Sequence, residues 1–321
     1  MILIVTNKDD EHADRVISRL HERRTSFLRF NTEDFPLGVK ASSRYGSDPG
    51  FFLELPYHTL TEDVSAIWYR RPVDPIIDPK ISDRTHREYA RLQATAFLQG
   101  LWYSLCDRLW VNHPEANHRA EQTMLQLTIA CQLGFIVPET LVTNDPTEAQ
   151  KFLSSRPGTD FVLKQLRGTR LNLTGLSDAA IETHLLTEDD MRYINDISAT
   201  PVILQEYVHK SLELRVTVIG PRVFTAALFS QQTREGRVDW RRSVQDDLRH
   251  ERYDLPEDIS ERCRRLVKGL GLKFGAIDLI LTPEGHFVFL EINPNGQWTW
   301  IESRTGMPMV DALIDLLSPA S

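Results

Sequence analysis

The most constraining stretch of this 321-residue chain lies near its end, where two apolar runs flank a four-residue turn. Gly275 to Leu281 reads Gly-Ala-Ile-Asp-Leu-Ile-Leu, Thr-Pro-Glu-Gly follows, and Phe287 to Asn293 reads Phe-Val-Phe-Leu-Glu-Ile-Asn. Pro283 and Gly285 supply the turn chemistry that closes an antiparallel hairpin. Glu291 and Asn293 are two residues apart, so they share one face of their strand, and Asp278 falls nearly opposite Glu291. Three oxygen-bearing side chains converging inside an apolar hairpin are costly to bury unless they bind something. Hard oxygen donors with room left for water and phosphate suit Mg²⁺, which seldom takes a full protein cage. The bland alternative gives one carboxylate an Arg partner and leaves Asn293 to turn the chain before Pro294. That account fits a lone acid better than it fits all three together.

The chain opens in a different style. Ile2 to Thr6 is a short β-branched run, a buried strand by pattern, and Ala13, Val16, Ile17 and Leu20 follow at helical spacing. Ser26 to Phe30 reads as a second strand, and strand–helix–strand predicts a parallel sheet. Phe51 to Leu55 and Ala66 to Tyr69 add strands on either side of turn-rich and polar segments. Near Val111-Asn112-His113-Pro114, Asn112 or His113 can cap a helix whose first turn accepts Pro114. Ala116, Ala120, Met124, Leu127 and Cys131 then recur at spacings of three and four, with Gly134 as a stop. Further strands are expected at Thr140 to Thr143, Phe161 to Lys164, Val202 to Glu206, Glu213 to Ile219 and Arg222 to Phe229. Helices are expected at Pro146 to Leu153, Ile259 to Gly271 and Val310 to Leu317.

Composition removes several function classes. The net charge of −8 argues against general nucleic-acid binding, although the Arg-rich stretch from Arg215 to Arg265 leaves room for a local anionic ligand. Cys106, Cys131 and Cys263 are widely spaced without a CxxC, so neither a disulfide framework nor a zinc site is expected, and each reads as a small buried apolar residue. The N-terminus lacks a basic region and reaches Lys8-Asp9-Asp10-Glu11 too soon for a signal peptide. No apolar run approaches the ~20 residues of a membrane span. A cytoplasmic enzyme with no membrane partner is the expectation.

Other polar residues could serve a nucleotide. Lys164 ends an apolar strand and precedes Gly168, which places an ammonium beside a loop whose N–H groups can approach phosphate. A strand-end lysine is otherwise simply solvated. Gln205-Glu206-Tyr207-Val208 reads as a polar–aromatic linker able to offer backbone to an adenine edge and an apolar wall to its face. Glu213 and Arg215 share a strand face, either as a salt bridge or as ligands for ribose and phosphate. Asp239-Trp240-Arg241-Arg242 supplies further guanidinium groups suited to a transferring phosphoryl group.

The order of these features resembles the ATP-grasp superfamily: strand-end Lys, acidic linker, Glu-x-Arg, late Arg, then Asp…Glu-x-Asn. Ile67-Trp68-Tyr69-Arg70-Arg71-Pro72 and Asn293-Pro294-Asn295-Gly296-Gln297-Trp298 are similar to the microviridin-type cyclases that make graspetides. The resemblance implies an α/β and α+β architecture, with an N-terminal pre-ATP-grasp domain over residues 1–112, a central lobe over 113–199 and a C-terminal lobe over 200–321. It also implies ATP and Mg²⁺. Lys164 would sit on phosphate, Gln205 to Val208 at adenine and Glu213 on ribose. Asp278, Glu291 and Asn293 would hold the metal, with Arg215 and Arg241 as catalytic residues. The implied partner is a ribosomal precursor peptide whose leader docks away from the reacting core, and the implied assembly is a homodimer. Glu188, Asp189 and Asp190 are candidates for that dock, although acids in a helix's first turn behind a Thr187 cap explain themselves. One departure stands out. Thr123 occupies a position where the family carries a basic residue, so either Arg119 replaces it or ATP is held less tightly. Two other functions fit the same nucleotide residues: a ligase that joins an amino acid to a small molecule or protein tail, and an inactive nucleotide-binding module.

Overall fold

All five residues of β1 (Ile2–Thr6) are buried, because both faces of their sheet are covered. In the computed structural model, which describes residues 1–45, 50–55, 58–60, 64–166, 170–171, 179–180, 183–232, 240 and 248–318, β1 pairs in parallel with β2 (Phe27–Asn31). On its other side it pairs in parallel with β6 (Ala66–Tyr69), which in turn pairs with β7 (Leu109–Val111). The parallel sheet expected from the opening is therefore present. The strands β3 (Lys40–Arg44), β4 (Gly50–Leu55) and β5 (His58–Leu60) form a separate antiparallel ribbon.

One face of the parallel sheet packs Ile2 and Ile4 against Ala13, Val16 and Leu20 of α1 (Glu11–Glu22) and against Leu313 and Leu317 of α8 (Met309–Leu317). The other face packs Leu3, Val5 and Ile67 against Leu98, Leu101 and Trp102 of α2 (Arg84–Ser104). The Asp10 carboxylate caps α1 by accepting from the N–H groups of His12 and Ala13, and Thr6 Oγ1 donates to it at 2.6 Å. Arg19 and Arg23 on α1 reach Asp311 on α8 at 2.8 and 2.6 Å, so the last helix of the chain is fastened to the first.

The single helix expected from Ala116 to Cys131 is two, α3 (Pro114–Ala120) and α4 (Thr123–Gln132). His113, not Asn112, caps α3, with its Nδ1 accepting from Glu115 N–H. The break frees the Ala120 carbonyl to accept from Gln126 Nε2 at 2.7 Å. Gln126 also reads both backbone groups of Ile292, donating to its carbonyl at 2.9 Å and accepting from its N–H at 3.1 Å. It thereby satisfies an edge strand that would otherwise be open to pairing.

The central sheet runs in the order β12 (His184–Leu185), β9 (Phe161–Lys164), β13 (Val202–Glu206), β8 (Thr140–Thr143). Above it lie α5 (Pro146–Ser154) and a 3-10 helix (Asp190–Ala199), which bury Ala149, Ile194, Ile197 and Leu204 together. Strand β13 pairs with β8 and β9 and with nothing in the following sheet. Strand β13, which begins just past the expected lobe boundary at residue 199, thus shares its sheet with the strands before it. Strands β10 (Arg170–Leu171) and β11 (Ala179–Ala180) pair antiparallel. Gly168, expected in a loop that approaches phosphate, lies outside the described residues.

The C-terminal sheet is antiparallel, in the order β16 (His250–Arg252), β15 (Arg222–Leu228), β14 (Leu212–Ile219), β17 (Phe274–Leu281), β18 (Phe287–Asn293). The expected hairpin is β17–β18. Gly285 turns it at φ +86°, where a side chain would be strained, and donates its N–H to the Thr282 carbonyl at 3.0 Å. Leu214, Val216, Ile277 and Leu279 pack with Ile259, Cys263 and Leu266 of α6 (Glu257–Gly269). Strand alternation then sends Glu213, Arg215, Ala276, Asp278 and Ile280 to the opposite face. The short helix α7 (Thr299–Thr305) completes the lobe. Of the three cysteines only Cys263 is buried, its thiol pushed up to about 12 by that burial; Cys106 and Cys131 are exposed, contrary to expectation. No helix of the described residues is long and apolar enough to cross a membrane.

Candidate active site between two sheets

Arg215 on β14 is the register partner of Asp278 on β17, and Asp278 is the register partner of Glu291 on β18. The three stand side by side across three strands, with Asp278 directly rather than nearly opposite Glu291. The ladder shifts just beyond Asp278, and this irregularity lets the consecutive residues Leu290 and Glu291 both line the cleft. Opposed carboxylates on neighbouring strands repel. Arg215 offsets part of this, its Nη1 donating to both Asp278 oxygens at 2.9 Å. Both partners are 5% exposed. Gly296 makes room for the guanidinium: a Cβ there would stand 2.6 Å from Arg215 Nη2 and 2.4 Å from the Ala276 side chain. The Trp240 ring covers the same guanidinium at 5.8 Å.

The cleft between the central and C-terminal sheets collects every nucleotide residue expected from sequence: Lys164, Gln205, Glu206, Tyr207, Val208 and Glu213, with Asp278 and Glu291. Lys164 Nζ donates to Gln205 Oε1 at 2.6 Å, and Gln205 Nε2 passes the chain on to Thr140 Oγ1 at 2.8 Å. Gln205 and Glu206 end strand β13 rather than forming a linker; only Tyr207 and Val208 lie beyond it. Glu213 is buried, with Lys210 Nζ at 2.7 Å and Ser230 Oγ at 2.6 Å on its Oε1. Burial raises its carboxyl above the usual value, against the pull of Lys210. Lys210 and Ser230 escaped the sequence reading. Ser230 is brought in only by the β14–β15 pairing, and no local pattern marks it.

Other expected residues fall elsewhere. Asn293 sits one strand step beyond Glu291, opposite Ala276, and lines a neighbouring cleft with Arg70, Arg71 and Asn295. Its Oδ1 accepts from Asn295 N–H at 2.9 Å. Arg241 lies outside the described residues. Arg119 is exposed on α3 and is not among the residues lining the cleft between the sheets, whereas Thr123 opens α4 within 3.5 Å of the Leu166 carbonyl. Glu188 and Asp189 lie in a turn ahead of the 3-10 helix rather than inside a helix. Asp190 is engaged locally: its carboxylate accepts from Thr187 Oγ1 at 2.6 Å, Thr187 N–H at 2.8 Å and faces His184 Nε2 at 2.8 Å. Those bonds, Thr187 first, hold its carboxyl down at about 2.

The donor set fits Mg²⁺. Asp278 and Glu291 are register neighbours whose mutual repulsion a divalent ion would relieve, and Asn293 adds a carbonyl oxygen along the same face. Two carboxylates and an amide leave positions for phosphate and water. Among the described residues no cluster of three His, Cys, Asp or Glu side chains offers an all-protein cage.

Two sheets enclosing such a cleft, behind an N-terminal parallel sheet, define an ATP-grasp architecture, and comparison with known proteins gives the family. Residues 1–118 match the MvdD pre-ATP-grasp domain and residues 120–317 the RimK-like ATP-grasp domain. The chain belongs to the RimK-like ATP-grasp family, whose members are ligases that use ATP and Mg²⁺. Among solved structures it resembles a Chryseobacterium gregarium RiPP-associated ATP-grasp ligase in complex with ADP and a leader and core peptide. That match has a TM-score of 0.90 and 29% identity over 98% of this chain and 96% of the other. It also resembles the macrocyclase MdnC from Microcystis aeruginosa, bound with precursor peptide MdnA, with a TM-score of 0.87 and 31% identity over 99% of both chains. A probable alpha-L-glutamate ligase of Hydrogenovibrio crunogenus is 23% identical over 206 residues, a match spanning 64% of this chain and 65% of that relative.

Proposed function

We propose that this chain closes rings in a ribosomal precursor peptide by joining an Asp or Glu side chain to a Ser or Thr hydroxyl or a Lys amine of the same peptide. The observation that carries this reading is the end-to-end likeness to the macrocyclase MdnC, N-terminal domain included, where the glutamate ligases match only about two-thirds. A carboxylate oxygen of the peptide attacks the γ-phosphorus of ATP, the bond to the bridging oxygen breaks and ADP leaves. The hydroxyl or amine then attacks the acyl carbon. Phosphate departs with the electron pair of the C–O bond, and the nucleophile's proton passes to solvent.

Within this reading Lys164 neutralises phosphate, Gln205 to Val208 flank the adenine, and Glu213, oriented by Lys210 and Ser230, takes a ribose hydroxyl. Mg²⁺ held by Asp278, Glu291 and Asn293 supplies charge neutralisation on the phosphates. Arg215 fixes Asp278 and keeps a buried Nε without a partner among the described residues, while Arg241 stabilises the transferring group. The leader docks by the exposed acids Glu188 and Asp189, with Asp190 shaping the turn. A cytoplasmic homodimer completes the reading, checked by light scattering.

The glutamate ligases favour one rival, addition of an amino acid to an acceptor. Incubation with Mg-ATP and a leader-bearing peptide rich in Thr, Ser, Asp, Glu and Lys separates the two. Ring closure removes the mass of one water per ADP formed. Addition raises the mass by an amino-acid residue, and that outcome would replace the macrocyclase reading.

A further inference from the structure

Along β17 and β18, the path from Ile280 and Leu290 through Asp278 and Glu291 to Ala276 and Asn293 leads out of the nucleotide cleft into a second one. Arg70, Arg71, Asn117, His118, Asn293 and Asn295 are among the residues that line it. Arg70 follows β6, is 1% exposed, and is fixed from one side by Nη1 donating to the Asn295 carbonyl at 2.5 Å. Its nearest carboxylate, Asp10, lies 4.0 Å from Nε. Arg71, exposed beside it, adds a second guanidinium and reaches the same carbonyl at 3.2 Å. Asn117 on α3 is 4% exposed, its Oδ1 already accepting from Asn112 Nδ2 at 3.0 Å.

What remains is one-sided. Arg70 Nε, Arg70 Nη2 and Asn117 Nδ2 are buried donors with no hydrogen-bond partner among the described residues, and Asp10 meets Nε only at ion-pair distance. A buried donor left unsatisfied gives up the hydrogen bonds it made to water and gains none in return. Three of them beside one cleft call for a ligand that only accepts, and two adjacent guanidinium groups make it an anion. Burial and the neighbouring Arg71 also press the Arg70 guanidinium down to about 9, a crowding of positive charge that an anion would relieve. Glu121 also lines the cleft, but it is exposed at the rim.

We propose that this cleft is a carboxylate subsite, in which Arg70, Arg71 and Asn117 hold the peptide side chain that is to become the acyl phosphate. Its border on Asn293 sets the bound oxygen beside the metal end of the nucleotide cleft. The identity of the carboxylate rests on the macrocyclase reading; the existence of an anion subsite does not.

The probe is N-acetyl-glutamate N-methylamide, titrated into the full chain with Mg-ADP and followed by ligand-observed NMR, with the neutral glutamine analogue as control. The expected result is binding of the carboxylate and not of the amide. Asn117→Asp keeps the Oδ1 that Asn112 needs and replaces the unpaired donor by an acceptor. It should weaken the probe about tenfold or more, and Arg71→Gln, on the exposed arginine, should do likewise. Mg-ADP affinity should stay at the parent value in both. Equal binding of the amide, or unchanged probe affinity in both variants, overturns the subsite. Displacement of the probe by inorganic phosphate at far lower concentration would overturn it in favour of a phosphate site. Peptide mass analysis separates the two ideas: no dehydration with probe binding intact sinks the macrocyclase reading alone, and dehydration without probe binding sinks the subsite alone.

Discussion

The two clefts that meet at β18 hold their charges in opposite ways. In the cleft between the sheets two charge pairs form, Arg215 with Asp278 and Lys210 with Glu213, and Lys164 donates to the neutral Gln205 carbonyl oxygen. In the cleft beside it, Arg70 and Asn117 keep buried donors that nothing in the described chain accepts. The first arrangement is largely paired before any ligand arrives, Arg215 Nε and the opposed Asp278 and Glu291 excepted, so its dipoles need little reorganisation when phosphate charge moves. The second is finished only by what binds. A fold can thus prepare the site of the general chemistry, phosphoryl transfer, and leave the site of the particular substrate incomplete.

The sharpest way to break the contrast is to remove one half of a finished pair. Asp278→Ala leaves Arg215 as an uncompensated buried charge, and that should lower stability by about 3–5 kcal/mol. Chemical denaturation measures it, and a loss under about 1 kcal/mol would mean the pair is solvated rather than closed. Glu291→Ala is expected to behave differently. Glu291 is only half-buried, so the fold should survive while ATP turnover falls by about 10²–10³. A steady-state ATPase assay with peptide present checks this, and parent-level turnover would take Glu291 out of the metal site.

A smaller effect sharpens the boundary between the clefts. His12 packs edge-on against Trp298, and burial first, then Arg70, Arg71 and Arg15, pushes its imidazole from 6.5 down to about 2. The folded chain therefore stays neutral there while the unfolded chain takes up a proton below 6.5. His12 thus costs nothing above 6.5, and stability falls as the pH drops through that value, by about 1.4 kcal/mol for each unit. His12→Gln should flatten this slope in thermal unfolding between neutral pH and about pH 5.5. Identical slopes in parent and variant would mean that His12 is solvated.

Much of the nucleotide cleft was legible because it is written in local patterns. Strand alternation put Glu213 with Arg215, and Glu291 with Asn293, on shared faces, and the Pro283–Gly285 turn set their hairpin. Register needed the pairing itself: the ladder shift that turns Leu290 and Glu291 toward one cleft leaves no mark in composition. Helix α2 went unread because its apolar residues do not gather into a clean stripe; Tyr89, Leu92 and Tyr103 stay exposed. The predicted helix from Ala116 breaks after Ala120, where the freed carbonyl takes Gln126 Nε2, a tertiary bond that spacing does not reveal. Strand β13 looked like the start of the next lobe, since sequence order says nothing about which sheet a strand joins. The Arg70 cleft was the least legible, as its residues come from four separate parts of the chain. Arg70-Arg71 was noticed only as a resemblance, and Asn117 not at all.

The central claim is that a side chain of the peptide is activated as an acyl phosphate. Its most direct test labels the Asp and Glu carboxylates of a leader-bearing peptide with heavy oxygen and follows the label through one round of ring closure with Mg-ATP. Attack by the carboxylate on the γ-phosphorus leaves one labelled oxygen in the released phosphate for each ring formed. Unlabelled phosphate, with rings still formed, would contradict the account.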